Sequence, residues 1–255
     1  MGEKIPVLKY FFNPKNGVVR LIPISCLHVG HKNFNVERGK GFIDYILKTE
    51  STYALMLGDT CENVLPETAA RHKGSIHEQT MSVEKQRDVA ISLLKPLADA
   101  KKILCWNESN HSLRSWYEAG FSVERHLAEK LNVPFAGTDA LLNINVGKQA
   151  YSIHVTHGTG GGTTLQAVLT RLFAQASRVI SADAYIRGHH HKKIIGEVCN
   201  IDARSGAIKK RILCATGCFM DYVDGYGHRN ELPPVVPGCV KIKLYSKKWD
   251  IHATL

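Results

Sequence analysis

The stretch ADAYIRGHHH, residues 182–191, joins a mostly apolar run to a cluster of imidazoles. Residues 182–186 predict a short buried strand, and Gly188 and three histidines follow it directly. In an extended segment His189 and His191 point to the same side, so one short stretch offers two imidazoles to one site. A solvated histidine run is the plainer alternative. The stretch predicts a metal-binding segment at the carboxyl end of a strand.

Four earlier stretches repeat this arrangement of an apolar run followed by polar side chains. The apolar runs, which predict strands, are residues 18–24, 54–57, 103–106 and 151–155. The motifs that follow them are Cys26-Leu27-His28, Gly58-Asp59, Asn110-His111 and His157-Gly158. Ligands of open α/β sheets collect at the carboxyl ends of strands, where all five motifs are expected. A mixture of imidazole, carboxylate, amide and thiol groups suits a two-metal hydrolytic centre.

Helical patterns alternate with these strands in the first half of the chain, over residues 36–48, 82–95 and 122–131. Pro96 is expected to end or kink the second helix. Pro23 similarly indicates that the first strand lies at a sheet edge or ends early. The alternation favours an α/β fold with helices layered on a sheet.

After residue 138 the pattern changes to strands, interrupted by one helix over residues 165–177. Two sheets flanked by helices are the simplest architecture, and we expect a single domain over residues 1–255. The N-terminus lacks the apolar core of a signal peptide, and no stretch is apolar enough to span a bilayer. A cytoplasmic protein with no membrane partner is therefore expected. The sequence does not indicate an oligomeric state.

The net charge indicates which partners to expect, and the cysteine pattern indicates the redox state of the thiols. The 33 Lys and Arg residues against 23 Asp and Glu residues give a net charge of +10. Such a surplus favours polyanionic partners, including nucleic acid, although a merely basic surface is an equal alternative. The seven cysteines are scattered and include no CxxC pair, so reduced thiols are expected rather than a disulfide framework.

The individual side chains suit different tasks. The two oxygens of Asp59 could bridge two cations held within about 4 Å of each other. Asn110 could ligate a metal through its carbonyl oxygen, while the adjacent His111 points elsewhere and is free for proton transfer. Taken alone, Gly-Asp is more typical of a turn cap, and Asn-His of an ordinary loop.

Together, in this order and at these spacings, the five motifs resemble the calcineurin-like metallophosphoesterases. The pattern of that family is Asp-x-His, Gly-Asp, Gly-Asn-His-Asp/Glu, a lone His and Gly-His-x-His. The resemblance covers about residues 18–220. It implies a four-layer α/β/β/α sandwich of the metallophosphoesterase type. Residues 222–237 also resemble the segment that follows the last His motif in phage and prophage members.

The resemblance implies two overlapping sets of ligands for two divalent metal ions (Mn, Zn or Fe), with Asp59 shared. These are Cys26, His28, Asp59 and His191 for one metal, and Asp59, Asn110, His157 and His189 for the other. A hydroxide between the metals would attack phosphorus in line, because two cations acidify water and neutralise phosphate. His111 would act as the general acid that protonates the leaving oxygen.

Two positions depart from the family pattern. Cys26 stands where the family has its first Asp, and the Gly-Asn-His-Asp/Glu segment here begins with Ser109 and ends with Ser112. A thiolate is softer than a carboxylate and favours Zn²⁺ or Fe²⁺ over Mg²⁺. Lariat-debranching enzymes look like this too, with Cys at that position, which points to phosphodiester cleavage. The alternative is a weakened or empty first metal site.

Three functions remain open. A phosphodiesterase or nuclease is favoured, with a phosphodiester substrate and nucleic acid as a candidate partner; a phosphomonoesterase and a metal-poor binding scaffold are the alternatives. Arg71 and Arg114 are candidate substrate-binding residues, because Arg gives bidentate contacts to phosphate. Specificity is expected from loops over residues 61–81, 112–120, 158–164 and 218–237. The glycine-rich stretch after His157 could let backbone amides approach a phosphate.

Overall fold

The structure is a computed structural model that describes residues 4–65, 77–162, 164–203 and 205–255. These residues form an α/β fold with two β-sheets and six helices, in agreement with the predicted α/β class. Within the described ranges, no helix combines the length and the apolar character needed to cross a membrane.

The strands are numbered in chain order. They are β1 (Val7–Phe12), β2 (Val18–Ile24), β3 (Thr52–Met56), β4 (Ile103–Asn107), β5 (Phe135–Gly137), β6 (Asp139–Val146), β7 (Gln149–Thr156), β8 (Ala184–Arg187), β9 (Lys193–Ile201), β10 (Ile208–Cys218), β11 (Gly238–Cys239), β12 (Lys241–Tyr245) and β13 (Ile251–Thr254). The helices are α1 (Val36–Lys48), α2 (Val83–Asp99), α3 (Ser112–Ala119), α4 (Val123–Lys130), α5 (Leu165–Arg178) and α6 (Tyr226–Arg229).

One sheet has the strand order β13-β12-β2-β3-β4-β5, and its strands β2 to β5 run parallel. Their carboxyl ends therefore lie along one edge. β2 lies inside the sheet and continues to Ile24, so the prediction drawn from Pro23 is wrong. The sheet tolerates this proline because β12 pairs only with residues 18–21 of β2, leaving Pro23 with a neighbour on the β3 side alone.

The second sheet has the order β1-β6-β7-β8-β10-β11, with β9 also paired to β10. Its strands β7, β8 and β10 are parallel neighbours. β7 and β8 end at Thr156 and Arg187, immediately before the motifs at His157 and Gly188. This sheet thus also presents polar side chains at the carboxyl ends of adjacent parallel strands.

The two sheets share one buried apolar cluster. Leu21 and Leu55 of the first sheet belong to the same cluster as Leu142, Ile153 and Ile212 of the second, and all five are buried. Alternating burial along β6 fits this arrangement, since every second side chain of a strand faces the same way. The interior between the sheets therefore fixes how the sheets meet.

Helices pack with residues of both sheets. Ile46 of α1, Leu94 of α2 and Leu127 of α4 pack in one cluster with Met56 of β3. A separate cluster joins residues of α5 to β8 and β10 of the second sheet: Val168, Leu172, Tyr185 and Leu213. The apolar stripes of these amphipathic helices thus account for the helical periodicity of the sequence.

The predicted helices are present, with small differences at their ends. α1 begins after Asn35, whose side chain accepts a hydrogen bond from the backbone N–H of Arg38. The prediction that Pro96 ends or kinks the second helix is wrong about its end, because α2 continues to Asp99. Pro96 cannot donate a backbone hydrogen bond, but it lies near the C-terminus of α2. Only a few residues of the helix therefore follow the missing bond.

One predicted loop is a helix. Residues 112–120 were expected to form a specificity loop, but α3 occupies Ser112–Ala119 and ends at Gly120, whose φ of 62° caps it in the left-handed conformation. Trp116 and Tyr117 on this helix are largely exposed, so the apolar pattern of a buried helix is missing. The helix starts directly after His111 and so determines where that side chain lies.

Leu142→Ala is expected to lower the free energy of unfolding by about 2–5 kcal/mol, because it removes a fully buried side chain from the cluster shared by both sheets. Urea unfolding followed by circular dichroism measures this change. The matched control is Leu165→Ala, at a side chain that is 61% exposed, which should stay within about 0.5 kcal/mol of the parent protein. Equal effects of the two substitutions would contradict the shared core.

Candidate metal centre

The five motifs meet at the carboxyl ends of strands from both sheets. Three follow β2, β3 and β4 of the first sheet, and two follow β7 and β8 of the second. All nine predicted site residues that the structure describes take part in this cluster: Cys26, His28, Asp59, Asn110, His111, Arg114, His157, His189 and His191. The tenth, Arg71, lies outside the described residues.

Gly58 allows the segments that carry these motifs to approach one another closely. A Cβ atom at this position would lie 2.6 Å from Cβ of Ser109 and 3.0 Å from Nδ1 of His157. Its φ of 80° is also one that side chains disfavour. Only glycine therefore fits between the first sheet and the His157 motif of the second.

The predicted ligands have unusual backbone conformations. Cys26, His28, Asp59, His189 and His191 all have positive φ, between 51° and 70°. For residues other than glycine such conformations are sparse and cost about 1–3 kcal/mol each. The expectation of an extended histidine segment is wrong, because His189 and His191 are both left-handed. Concentrated strain of this kind is typical of functional sites.

One part of the cluster contains Cys26, His28 and His191. His28 donates from Nδ1 to the carboxylate of Glu62 at 2.9 Å, which leaves Nε2 as the nitrogen that faces the cluster. That Nε2 faces Nε2 of His191 at 3.2 Å. The Sγ atom of Cys26 lies within 4.8 Å of ligand atoms of both imidazoles. Two nitrogens and a sulfur thus face a common point.

The other part contains Asp59, Asn110 and His157. His157 donates from Nδ1 to the backbone oxygen of Leu57 at 2.6 Å. Its Nε2 then faces two oxygens, Oδ1 of Asn110 at 2.8 Å and Oδ2 of Asp59 at 3.2 Å. A neutral ring held in this way has no proton left to give to either oxygen. A proton on Nε2 or a bound cation would satisfy both oxygens.

His189 lies beside this second part, with its ring centroid 5.2 Å from that of His157. Its Nδ1 is buried and has no hydrogen-bond partner among the described residues. Burial lowers the pKa of His189 to about 4, so the ring is neutral at pH 7. A buried nitrogen lone pair without a donor is a ready metal ligand.

Asp59 connects the two parts. Its Oδ2 lies 3.8 Å from Nε2 of His28 and 3.2 Å from Nε2 of His157. Burial acts to raise the pKa of Asp59, but the surrounding histidines outweigh it and hold the pKa well below its ordinary value. Among the residues that the structure describes, three overlapping groups have ligand atoms within 4.8 Å of one another: Cys26, His28 and His191; Cys26, Asp59 and His157; and His28, Asp59 and His111.

Cys26 carries a proton in this environment. Burial, with the nearby Asp59 adding to it, raises the pKa of the thiol well above its ordinary value. A metal ion reverses this effect, because a coordinated thiol is deprotonated. Binding of a cation at Cys26 would therefore release a proton.

His111 lies against the same carboxylate but is held differently. Its Nδ1 donates to the backbone oxygen of Glu62 at 2.9 Å, and Nη2 of Arg114 lies 3.0 Å from its Nε2. Burial lowers the pKa of His111 to about 4. Arg114, predicted to bind substrate, is largely buried and also donates from Nη1 to the Glu62 carboxylate at 3.0 Å.

Glu62 is a site residue that the sequence analysis missed. Its buried carboxylate contacts His28 and Arg114, and its backbone oxygen holds His111. Burial acts to raise the pKa of Glu62, but these cationic and hydrogen-bonding neighbours lower it overall. An acidic residue three positions after Asp59 was the available signal. Carboxylates that bind the second nitrogen of a ligand histidine fix its tautomer and its orientation.

Glu124 is a second missed carboxylate. It lies on α4 and accepts hydrogen bonds from the backbone and hydroxyl of Thr60, at 2.9 and 2.7 Å, and from Trp106. Burial raises its pKa to about 7 despite these bonds. Ser112, which stands where the resembled family has an acid, accepts from the backbone N–H of Glu124. The acid beside the Asp59 turn thus comes from a neighbouring helix, and no local sequence signal indicates it.

Comparison with models of known protein families and with curated proteins finds no match to this chain.

Glu62→Gln is expected to weaken metal binding by about 10–100-fold, because an amide orients the His28 ring less firmly than a carboxylate does. Titration of the metal-free protein with Zn²⁺ against a competing chelator measures the affinity. Glu37→Gln, at an exposed position on α1, is the matched control and should leave the affinity unchanged. Equal metal affinities of the two variants would show that Glu62 does not support metal binding.

Proposed function

We propose that this protein is a phosphoester hydrolase that uses two divalent metal ions, with phosphodiester cleavage as its preferred reaction. One observation carries the proposal. Electron-pair donors from five strand ends face one another around Asp59, while the second ring nitrogens of His28 and His157 are already bound by protein oxygens. Lone pairs oriented toward a common point in a buried site are what metal binding requires.

The donor set fits two cations. Cys26, His28 and His191 would hold one, and Asn110, His157 and His189 the other, with the Asp59 carboxylate between them. When bound, such cations neutralise phosphate charge and acidify a water molecule. A sulfur and several imidazoles favour Zn²⁺ or Fe²⁺, with Mn²⁺ as a further candidate.

We further propose that the fold is the four-layer α/β/β/α sandwich of the calcineurin-like metallophosphoesterases. Its support is the packing of the clusters: residues of both sheets share one core, and helices cover the opposite faces. The order and spacing of the five motifs support the same assignment.

His111 and Arg114 would act on the substrate and on the proton that the leaving oxygen receives. Nδ1 of His111 is occupied by the Glu62 backbone, so Nε2 is the atom that could carry a proton to the leaving oxygen. In the structure, Nη2 of Arg114 lies 3.0 Å from this nitrogen. Nε2 accepts from Arg114, and burial lowers the pKa of His111 to about 4, so the ring holds no proton to donate while Arg114 is in place. A phosphate that attracts the Arg114 guanidinium would let Nε2 take up a proton from solvent, which couples substrate binding to the general-acid role of His111.

The preference for diesters over monoesters rests on the net charge of +10 and on Cys26. A basic protein attracts polyanions, and nucleic acid is the commonest phosphodiester polyanion. Phosphomonoesters are the second candidate substrates, and a metal-poor binding scaffold is the third possibility.

With Mn²⁺, Fe²⁺ or Zn²⁺ restored, the protein is expected to hydrolyse bis-p-nitrophenyl phosphate faster than p-nitrophenyl phosphate. His111→Ala should lower the rate by about 10²–10⁴-fold, as loss of a general acid does. Release of p-nitrophenolate measures both. His252→Ala, at an exposed histidine, is the control. A preference for the monoester contradicts the diesterase assignment, and absence of both turnover and bound metal supports the scaffold.

Cys26→Asp is expected to move metal preference from Zn²⁺ toward Mn²⁺, because a hard carboxylate replaces a soft thiolate. The ratio of the two dissociation constants, measured by chelator competition, should shift by at least about tenfold, which is about 1.4 kcal/mol. Cys199→Asp, at an exposed thiol, makes the same substitution away from the cluster. An unchanged ratio in Cys26→Asp means that Cys26 does not bind metal.

A further inference from the structure

A cavity of about 430 Å³ opens directly beside the second group of predicted ligands. Asn110 and His157 form part of its wall, so the cavity reaches the proposed metal centre. Its opposite wall comes from α5 and the end of β8, and contains three arginines: Arg171, Arg178 and Arg187. The proposed mechanism does not use these side chains.

Arg187 is the most constrained of the three. Its side chain is buried, with the residue only 6% exposed. Nη1 and Nη2 donate to the backbone oxygens of Arg171 and Thr159, at 2.9 and 3.3 Å, but Nε has no hydrogen-bond partner among the described residues. No carboxylate in the described part of the chain forms an ion pair with it. A buried guanidinium that lacks a counter-ion is costly unless an anion compensates it.

The other two arginines add to the positive charge. Arg171 likewise forms no ion pair with any described carboxylate, whereas Arg178 contacts Asp139. Burial, followed by repulsion from Arg171 and Arg178, lowers the pKa of Arg187 to about 10, so the Arg187 guanidinium remains charged at pH 7. The lining acids are Asp139 and Glu108, and Glu108 accepts hydrogen bonds from Ser109 and Ser122.

The glycine-rich loop makes room for these side chains. A Cβ atom at Gly158 would lie 2.5 Å from Nη2 of Arg187, and one at Gly160 would lie 2.8 Å from Nη2 of Arg171. The loop was expected to bring backbone amides toward a phosphate. Two of its glycines also let two guanidiniums approach the end of β7, where His157 follows.

We propose that this arginine cavity binds a second phosphate group of the substrate, next to the phosphodiester that is cleaved. Guanidinium groups recognise phosphate oxygens with paired, charge-assisted hydrogen bonds. The position of the cavity beside Asn110 and His157 places such a group adjacent to the reacting centre. The second phosphate is either a terminal phosphate or a neighbouring backbone phosphate of an oligonucleotide. The inference rests on the proposed function in taking the ligand to be a phosphoester.

Binding to the metal-free protein tests the cavity without requiring catalysis. After treatment with EDTA, the protein is titrated into fluorescently labelled pTpT, TpT and octathymidylate without a terminal phosphate, and anisotropy is recorded. Arg171→Gln, at an exposed side chain that should not disturb folding, is expected to weaken binding at least about tenfold. Arg187→Gln should do the same, and circular dichroism checks that this buried variant folds.

The control is Arg20→Gln, which removes the same charge from β2, away from the cavity. Arginine-dependent binding of pTpT alone identifies a terminal phosphate, and arginine-dependent binding of the octamer as well identifies a backbone phosphate. Equal losses in Arg171→Gln and Arg20→Gln, or no loss in either, overturn the proposal. Because no metal is present, an inactive enzyme that still binds pTpT through Arg171 would disprove only the proposed hydrolysis.

Discussion

The buried carboxylate of Asp59, with imidazole nitrogens on both sides, is the constraint around which the chain is organised. The rings of His157 and His28 cannot turn away from Asp59. Nδ1 of His157 donates to the backbone oxygen of Leu57, and Nδ1 of His28 donates to the carboxylate of Glu62. Each of those partners belongs to the same segment that carries Asp59. The segment following β3 therefore provides the central carboxylate and also orients the rings that face it.

This arrangement depends on two sheets meeting at the same end. Parallel strands bring the carboxyl ends of β2, β3 and β4 together, and the shared core brings those of β7 and β8 against them. Gly58 lies at the junction, where any side chain would collide with the neighbouring segments. The apolar core thus determines the distances on which the polar site relies.

Much of this could be predicted from the sequence, because strand-end motifs depend on local pattern. Periodicity located the helices, and residues such as Asp59 and His157 stood out by following apolar runs. Glu124 and Arg187 could not be found in this way, since their importance arises from contacts with segments distant in sequence. The helix after His111 was missed because its short, largely exposed surface lacks a buried stripe. Arg114 was chosen as a phosphate ligand, but its pairing with Glu62 was not foreseen.

The left-handed backbone at Cys26, His28, Asp59, His189 and His191 has a consequence for evolution in the laboratory. Glycine relieves such strain, so variants selected only for thermal tolerance should accumulate glycine or asparagine at these five positions first. Each glycine introduced there would remove an electron-pair donor from the cluster, and each asparagine would replace it with a neutral amide. Heat resistance and the proposed metal binding would therefore be in conflict at these residues. The positions at which a screen for heat resistance selects substitutions would mark the side chains that a metal site needs.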